Sequence, residues 1–202
     1  MQKIEDAQVA LRSASLVGQN QNRRVSFGKS SKVRSADGTP DLTCQCRLCG
    51  SIVSTMIRKA KTSDIAATHE IASLAYAPYT PLIGRPAAPA LADHQAHLER
   101  EELWVYEEAG KVLGYLSAFP DGTALALDAV GVTPEAQGKG IGRALIAYCE
   151  ALAARRGLDA VVLYTNVHMT SNLRLYPNLG YVETGRDHVD GYDRVFFRKS
   201  VN

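Results

Sequence analysis

The sequence predicts an α/β protein of the α+β kind, a mixed central β-sheet flanked by helices on both faces, and three observations carry that expectation. Residues 56–202 alternate short strand-like runs with helical apolar stripes in the order β-α-α-β-β-β-α-β-α-β-β. Hairpins, which pair strands antiparallel, occur beside crossover helices, which pair them parallel. A glycine-rich turn, Gly138-Lys139-Gly140-Ile141-Gly142, joins the fourth strand to the longest helical stripe.

Taken in order, Met56 to Ala60 is strand-like, and Thr62 or Ser63 caps a helix running through Ile65, His69, Ala72 and Ala75. Prolines at 78, 81, 86 and 89 end that helix and predict a long loop, followed by a short exposed helix over Leu91 to Leu98. Leu103 to Tyr106 and Val112 to Ala118 make a hairpin about Glu108-Ala109-Gly110-Lys111, and Ala124 to Val132 is the next strand. Apolar residues at 141, 145, 146, 149, 152 and 153 form a helical stripe that Gly157 ends. Ala160 to Tyr164 is a buried-type strand, Ser171 to Leu179 a helix ended by Gly180, and Tyr181 to Thr184 and Tyr192 to Arg198 are the closing strands.

Composition bounds the function. At 202 residues and 46% hydrophobic content the chain can bury one sizeable core. Residues 1–55 carry eight Lys/Arg against four Asp/Glu, and 56–202 carry fifteen against seventeen, so the basic excess belongs to the leader. The near-neutral remainder offers no clustered cations to displace counterions from nucleic acid. No apolar run is long enough to span a bilayer, and no membrane partner is expected; a cytoplasmic location fits. The leader is poor in residues to bury and is expected to be disordered, with a marginal helix over Ala7 to Val17, and Met56 is a candidate start. Cys44-x-Cys46-x-x-Cys49 lacks a fourth ligand at zinc spacing, so no metal site is assigned.

The stretch Gln137-Gly138-Lys139-Gly140-Ile141-Gly142-Arg143 carries the chemistry. Glycines let a ligand lie against bare backbone, and the helix behind them presents unpaired N–H groups and the positive end of its dipole. Amides of residues 138–143 form a diphosphate cradle, with Gln137 orienting the loop or binding a phosphate oxygen. The glycine spacing does not make G-x-G-x-x-G, and no Gly-Lys-Ser/Thr occurs, so neither the dinucleotide nor the P-loop reading applies.

Val130-Gly131-Val132-Thr133-Pro134-Glu135-Ala136-Gln137-Gly138-Lys139-Gly140-Ile141-Gly142 resembles the acetyl-CoA motif of the GNAT superfamily of N-acetyltransferases. Asn172-x-x-x-Tyr176, followed by Leu179-Gly180-Tyr181, is similar to that family's later motif. The resemblance implies an N-acetyltransferase in residues 56–202, with acetyl-CoA as co-substrate and an amine as acceptor, and the tyrosines and prolines of the segment Tyr76 to Pro86 suit a small molecule. It implies that main-chain groups of Val130 and Val132 bind the pantetheine arm in a cleft between the fourth and fifth strands. It further implies that Asn172 hydrogen-bonds the cofactor and that Tyr176 acts as general acid toward its sulfur. A peptide or protein acceptor and a non-catalytic acetyl-CoA sensor are the alternatives, and a homodimer paired through the sheets is allowed by the same analogy.

Asp128 is the candidate general base, on the face of Val130 and Val132 if no bulge intervenes. His168 and His94 stand behind it. Pro177 is the departure from the pattern, because it removes a helical donor beside Tyr176 and kinks or shortens the helix. The resemblance implies that the segment Tyr76 to Pro86, which joins the first two helices, forms the acceptor wall, with Arg85 available to a substrate carboxylate. The turn Asp187 to Arg194 adds acidic groups that attract a cationic amine.

Overall fold

The computed structural model describes residues 56–201, so the expectations for residues 1–55, including the Ala7 to Val17 helix and the Cys44, Cys46 and Cys49 cluster, lie outside the described residues. Seven strands form: β1 (Met56–Lys59), β2 (Leu103–Glu108), β3 (Lys111–Asp121), β4 (Ala124–Val132), β5 (Ala160–Asn166), β6 (Val182–Val189) and β7 (Tyr192–Ser200). The helices are α1 (Ile65–Tyr76), α2 (Thr80–Ile83), α3 (His94–Glu99), α4 (Ile141–Arg155) and α5 (Thr170–Asn178). The strands make one sheet of order β1-β2-β3-β4-β5-β7-β6, in which only β4 and β5 are parallel. That parallel pair needs a crossover, and α4 provides it.

The two faces bury different clusters. Leu145, Ile146 and Cys149 of α4 and Tyr176 of α5 pack on Leu116, Leu125, Leu127, Val161 and Phe197. On the other face Ile71 and Ala72 of α1 pack on Leu103, Val105, Tyr115 and Ala129. Among the described residues no helix is long and apolar enough to cross a membrane.

Local chemistry explains where the helices stop. After α4, Gly157 at φ 68° follows a Schellman pattern, with Leu158 N–H donating to Ala153 O at 3.0 Å and Gly157 N–H to Ala154 O at 3.0 Å. The same pattern closes α5, where Tyr181 N–H donates to Tyr176 O at 3.0 Å and Gly180 N–H to Pro177 O at 2.9 Å. Pro177 therefore sits in the last turn of a helix that ends at Asn178; it shortens the helix and leaves the main chain at Tyr176 doubly anchored.

The proline-rich segment corrects the expectation of an irregular loop. Pro78, Pro81 and Pro89 each occupy a first-turn position of a short helical element, Ala77–Tyr79, Thr80–Ile83 and Ala88–Leu91, where a missing N–H costs no helical bond. The predicted Leu91 to Leu98 helix starts later, at His94, because Asp93 caps it through Oδ1 to Ala96 N–H at 3.0 Å.

Expected on an exposed helix, His94 is instead 3% exposed and tilted against Tyr115, with ring centroids 4.9 Å apart. Thr68 Oγ1 donates to Ile65 O at 3.0 Å and therefore accepts from His94 Nδ1 at 2.9 Å, which places a proton on Nδ1. Burial, then the neighbouring His97 and His69, push His94 down to about 4 from 6.5. The unfolded chain thus binds the extra proton between those values, so stability is full above pH 6.5 and falls as the pH drops toward 4. We expect roughly 3 kcal/mol of acid-dependent loss from this ring. Urea melts of wild type and His94→Gln at pH 7 and pH 4 will show it as a smaller pH slope in the variant; equal slopes would refute it.

Candidate functional site

The cleft arises where β4 leaves β5. The two strands pair only from Ala124↔Ala160 to Leu127↔Leu163, after which residues 128–130 and 164–166 face each other across open space. The cause lies on β4's other edge. β3 pairs Ser117 with Ala129 but Ala118 with Leu127, so Asp128 is the extra residue of a β-bulge. The bulge changes phase: Leu125 and Leu127 before it, and Val130 and Val132 after it, pack on the same α4-side cluster. Asp128 is thereby separated from the face of Val130 and Val132, contrary to the alternation expected of an unbroken strand. A solvent-open cavity of about 520 Å³ lies there, lined by Asp128, Tyr164, Asn172 and Tyr176 among others.

The glycine turn lies beyond the end of β4. Gly138 and Gly140 take φ of 77° and 84°, and a Cβ built on either meets no atom within 4 Å. No side chain caps α4 at Gly140, while Ala144 N–H reaches Gly140 O at 3.0 Å. The first-turn amides of Ile141, Gly142 and Arg143 consequently have no intrahelical acceptor. The Ile141 side chain is buried in the core, so that residue offers its amide alone, whereas Lys139 and Arg143 stand exposed beside the turn. Gln137 Nε2 donates to Val132 O at 3.2 Å, tying the turn to the strand end.

Within the cleft Tyr176 is 5% exposed and edge-on to Tyr181, with centroids 5.8 Å apart. Burial pushes its phenol well above the ordinary value. Asn172 Nδ2 donates to Thr165 Oγ1 at 3.1 Å, which fixes its amide against β5. The Val130 carbonyl accepts from Tyr76 Oη at 2.9 Å, so one of its lone pairs is committed to α1.

Asp128 lies among groups from three elements. Ser117 Oγ donates to its Oδ2 at a long 3.4 Å, and His97 Nε2 stands 3.5 Å from the same oxygen. His97 Nδ1 is 3.1 Å from Glu102 Oε2, an arrangement that puts the Nδ1 proton toward Glu102 and turns Nε2 to Asp128. Burial raises the Asp128 carboxyl above the usual range, opposed in turn by His97, Ser117 and Arg194. His97 is absent from the residues the sequence singles out, although His94 and His97 stand three apart on the buried side of α3. His168 is exposed at the start of the segment leading to α5 and is not among the cleft residues.

A roof closes the α1 side of the cleft. Tyr192 Oη donates to Pro86 O at 2.7 Å, and Arg85 Nη1 to Asp190 O at 3.1 Å while its guanidinium stacks 4.2 Å from the Tyr192 ring. Arg85 therefore latches the proline segment to the β6–β7 hairpin from outside, in place of the ligand role expected of it. The arginine that does line the cleft is Arg194, 2% exposed and 4.3 Å over the Tyr164 ring. In the acidic turn, Asp190 accepts from Arg194 Nη2 at 3.3 Å, and Asp193 from His188 at 2.7 Å.

Comparisons with known proteins agree with this architecture. A stretch of 62 residues is 45% identical to the mycothiol acetyltransferase of Arthrobacter sp. (strain FB24), covering 31% of this chain and 19% of that protein. The chain thus spans about a fifth of the length of the curated relatives it matches first. The structure of yncA from Salmonella typhimurium with its cofactor acetyl-CoA superposes with a TM-score of 0.55 at 26% identity, over 73% of this chain and 94% of that one. The ribosomal-protein-S18-alanine N-acetyltransferase of Escherichia coli shares the fold, with a TM-score of 0.60 at 18% identity over 73% of this chain and 94% of that one. The family model described as "Acetyltransferase (GNAT) family" matches residues 68–181, more than half of the chain, from within α1 to just past α5, so the chain belongs to the GNAT family of acetyltransferases.

Proposed function

We propose that this acyltransferase moves the acetyl group of acetyl-CoA to the amine of a small molecule held under the Arg85–Tyr192 roof, by direct attack within a ternary complex. The observations that carry the reading are the cleft between the parted strands, lined by the half-buried Asp128 carboxyl with its side chain 18% exposed, and the open amide cradle beyond the end of β4. The residues present fit acetyl-CoA on two counts. The Gly138–Gly140 turn leaves unfilled space where phosphates approach uncapped amides, and the parted edges of β4 and β5 leave a slot for an extended arm. Amides of Gly138, Lys139, Gly140, Ile141, Gly142 and Arg143 are the proposed donors, with main-chain groups of Val130 and Val132 and the Asn172 amide along the arm. Gln137 orients the loop through Val132 O, and its second Nε2 N–H is the proposed donor to a phosphate oxygen.

Bound acetyl-CoA supplies an activated acetyl thioester. Asp128 takes the proton that the acceptor's ammonium must lose, and burial suits it to that work by making its carboxylate more basic than usual. His97 then relays the proton from Asp128 to the rim, where Glu102 balances the imidazolium. Tyr176 keeps its proton at neutral pH and points its hydroxyl at the departing sulfur. Its raised pKa, set against about 8.5 for a thiol, favours a donated hydrogen bond over complete proton transfer.

The closed roof favours a small acceptor over an extended peptide, which needs an open trough. Thiol release from acetyl-CoA, measured with a panel of small amines and a set of peptides with free N-termini, tests the reading. Turnover with peptides alone would sink the small-molecule assignment, and no turnover with any amine would sink the enzyme. All proposed site residues lie within residues 56–202, so deleting residues 1–55 is expected to leave acetyl-CoA affinity unchanged by calorimetry. A loss of binding in the truncated protein would place part of the site in the leader.

A further inference from the structure

Arg194 has more hydrogen-bonding capacity than its surroundings use. Its side chain lines the cleft at 2% exposure, yet only Nη2 has an acceptor, Asp190 Oδ2 at 3.3 Å. Nε and Nη1 are buried with no acceptor among the described residues. Leaving charged N–H donors dry and unpaired is costly, and a guanidinium cannot escape by losing its proton. The aromatic rings of Tyr164 and Tyr192, 4.3 and 5.8 Å from the guanidinium carbon, satisfy its faces but not its N–H edge. Asp128, which lines the same cleft, feels the charge of Arg194, but its ion pair among the described residues is with His97. The cleft thus presents a carboxylate and a cation side by side, each able to take an opposite charge from a ligand.

Resting on the acetyltransferase reading above, we propose that the acceptor is an amino acid or a close analogue, its carboxylate held by Arg194 Nε and Nη1 and its amine delivered to Asp128. The acceptor's two charges complement the two in the cleft, which Arg194 and Asp128 both line. Arg85, bound outside the roof to Asp190 O and stacked on Tyr192, holds Asp190 in place as the second partner of Arg194.

The test compares an α-amino acid series with the matching carboxamides and decarboxylated amines, scoring kcat/KM for thiol release. Each acid is expected to exceed its amide by roughly 100-fold. Protonation cannot mimic this, since the amide's amine is the less basic and carries more free base at neutral pH. In Arg194→Met the acid-to-amide ratio should fall toward one, and Arg194→Lys should keep part of it. Using the ratio within each protein cancels any change in Asp128 basicity caused by removing the charge. If wild type acetylates acids, amides and plain amines alike, the anion site is wrong while the enzyme stands. If no amine reacts, the enzyme reading falls, and thermal stabilisation by N-acetylglycine but not N-acetylglycinamide, in the presence of coenzyme A, decides the anion site on its own. Equal stabilisation by both would overturn it. Should Arg194→Met fail to fold, the wild-type ratios and this binding pair still decide between the two outcomes.

Discussion

Replacing Asp128 with Asn is expected to lower kcat by about 10²–10⁴-fold while leaving acetyl-CoA affinity unchanged. The amide keeps the shape of the carboxylate and can still meet Ser117 and His97, so packing survives, but it cannot accept a proton. Asp128 lies on the α1 side of the bulge, away from the cradle, which is why binding and turnover should separate. Steady-state kinetics together with calorimetry reads both quantities. A variant that turns over at wild-type rate would remove Asp128 from the chemistry, and one that also lost the cofactor would show that the substitution disturbed the cleft.

The pH profile adds a sign that a merely structural role cannot produce. Activity requires the ionised carboxylate, so it falls as pH drops through the Asp128 pKa, which burial places above the ordinary 3.8. His97 favours that ionised form. Its replacement by Gln therefore raises the pKa further and moves the acidic limb of kcat/KM to higher pH. A limb that stays put, or moves to lower pH, would break the proposed relay between Asp128, His97 and Glu102.

What the sequence reveals and what it conceals divide along the range of the forces involved. The glycine turn is legible because positive φ and a bare helix start are written in consecutive residues, and Gly138 and Gly140 take those conformations. The succession of elements along the chain and the helical stripe of α4 follow from apolar periodicity, which is likewise local, whereas the order of the strands in the sheet does not. The bulge at Asp128 has no such mark: neither Pro nor Gly stands at 128, and the extra residue appears only when Ser117 and Ala118 are paired against it. His97 and Arg194 have one local partner each, Glu102 and Asp190, but gain their meaning from residues about thirty positions away, Asp128 for one and Tyr164 for the other. A trace of Arg194 exists in the pattern, since it shares the alternating face of Tyr192 and Phe196, where a charge is out of place without a partner. The proline segment misleads for the opposite reason. Counting prolines as breakers ignores that the first turn of a helix accepts them, and three of the four sit in elements that begin there.

The second large effect separates ligand binding from folding. Gly140→Val is expected to weaken acetyl-CoA binding by at least about 100-fold, or about 3 kcal/mol. A β-branched residue at φ 84° costs roughly 1–2 kcal/mol in the backbone, and its side chain enters the space through which diphosphate would approach the α4 amides. No protein atom lies within 4 Å of the added Cβ, so the fold itself has little to lose beyond that strain. Gly131→Ala provides the contrast, because its Cβ would overlap the fully buried Tyr115 ring. There the damage falls on the core and should appear chiefly as a lower Tm. Calorimetry with acetyl-CoA, paired with thermal melts of both variants, distinguishes the two. If Gly140→Val binds like wild type, the amide cradle is not where the diphosphate rests. If it unfolds as readily as Gly131→Ala, the turn is holding the protein together and its openness is incidental.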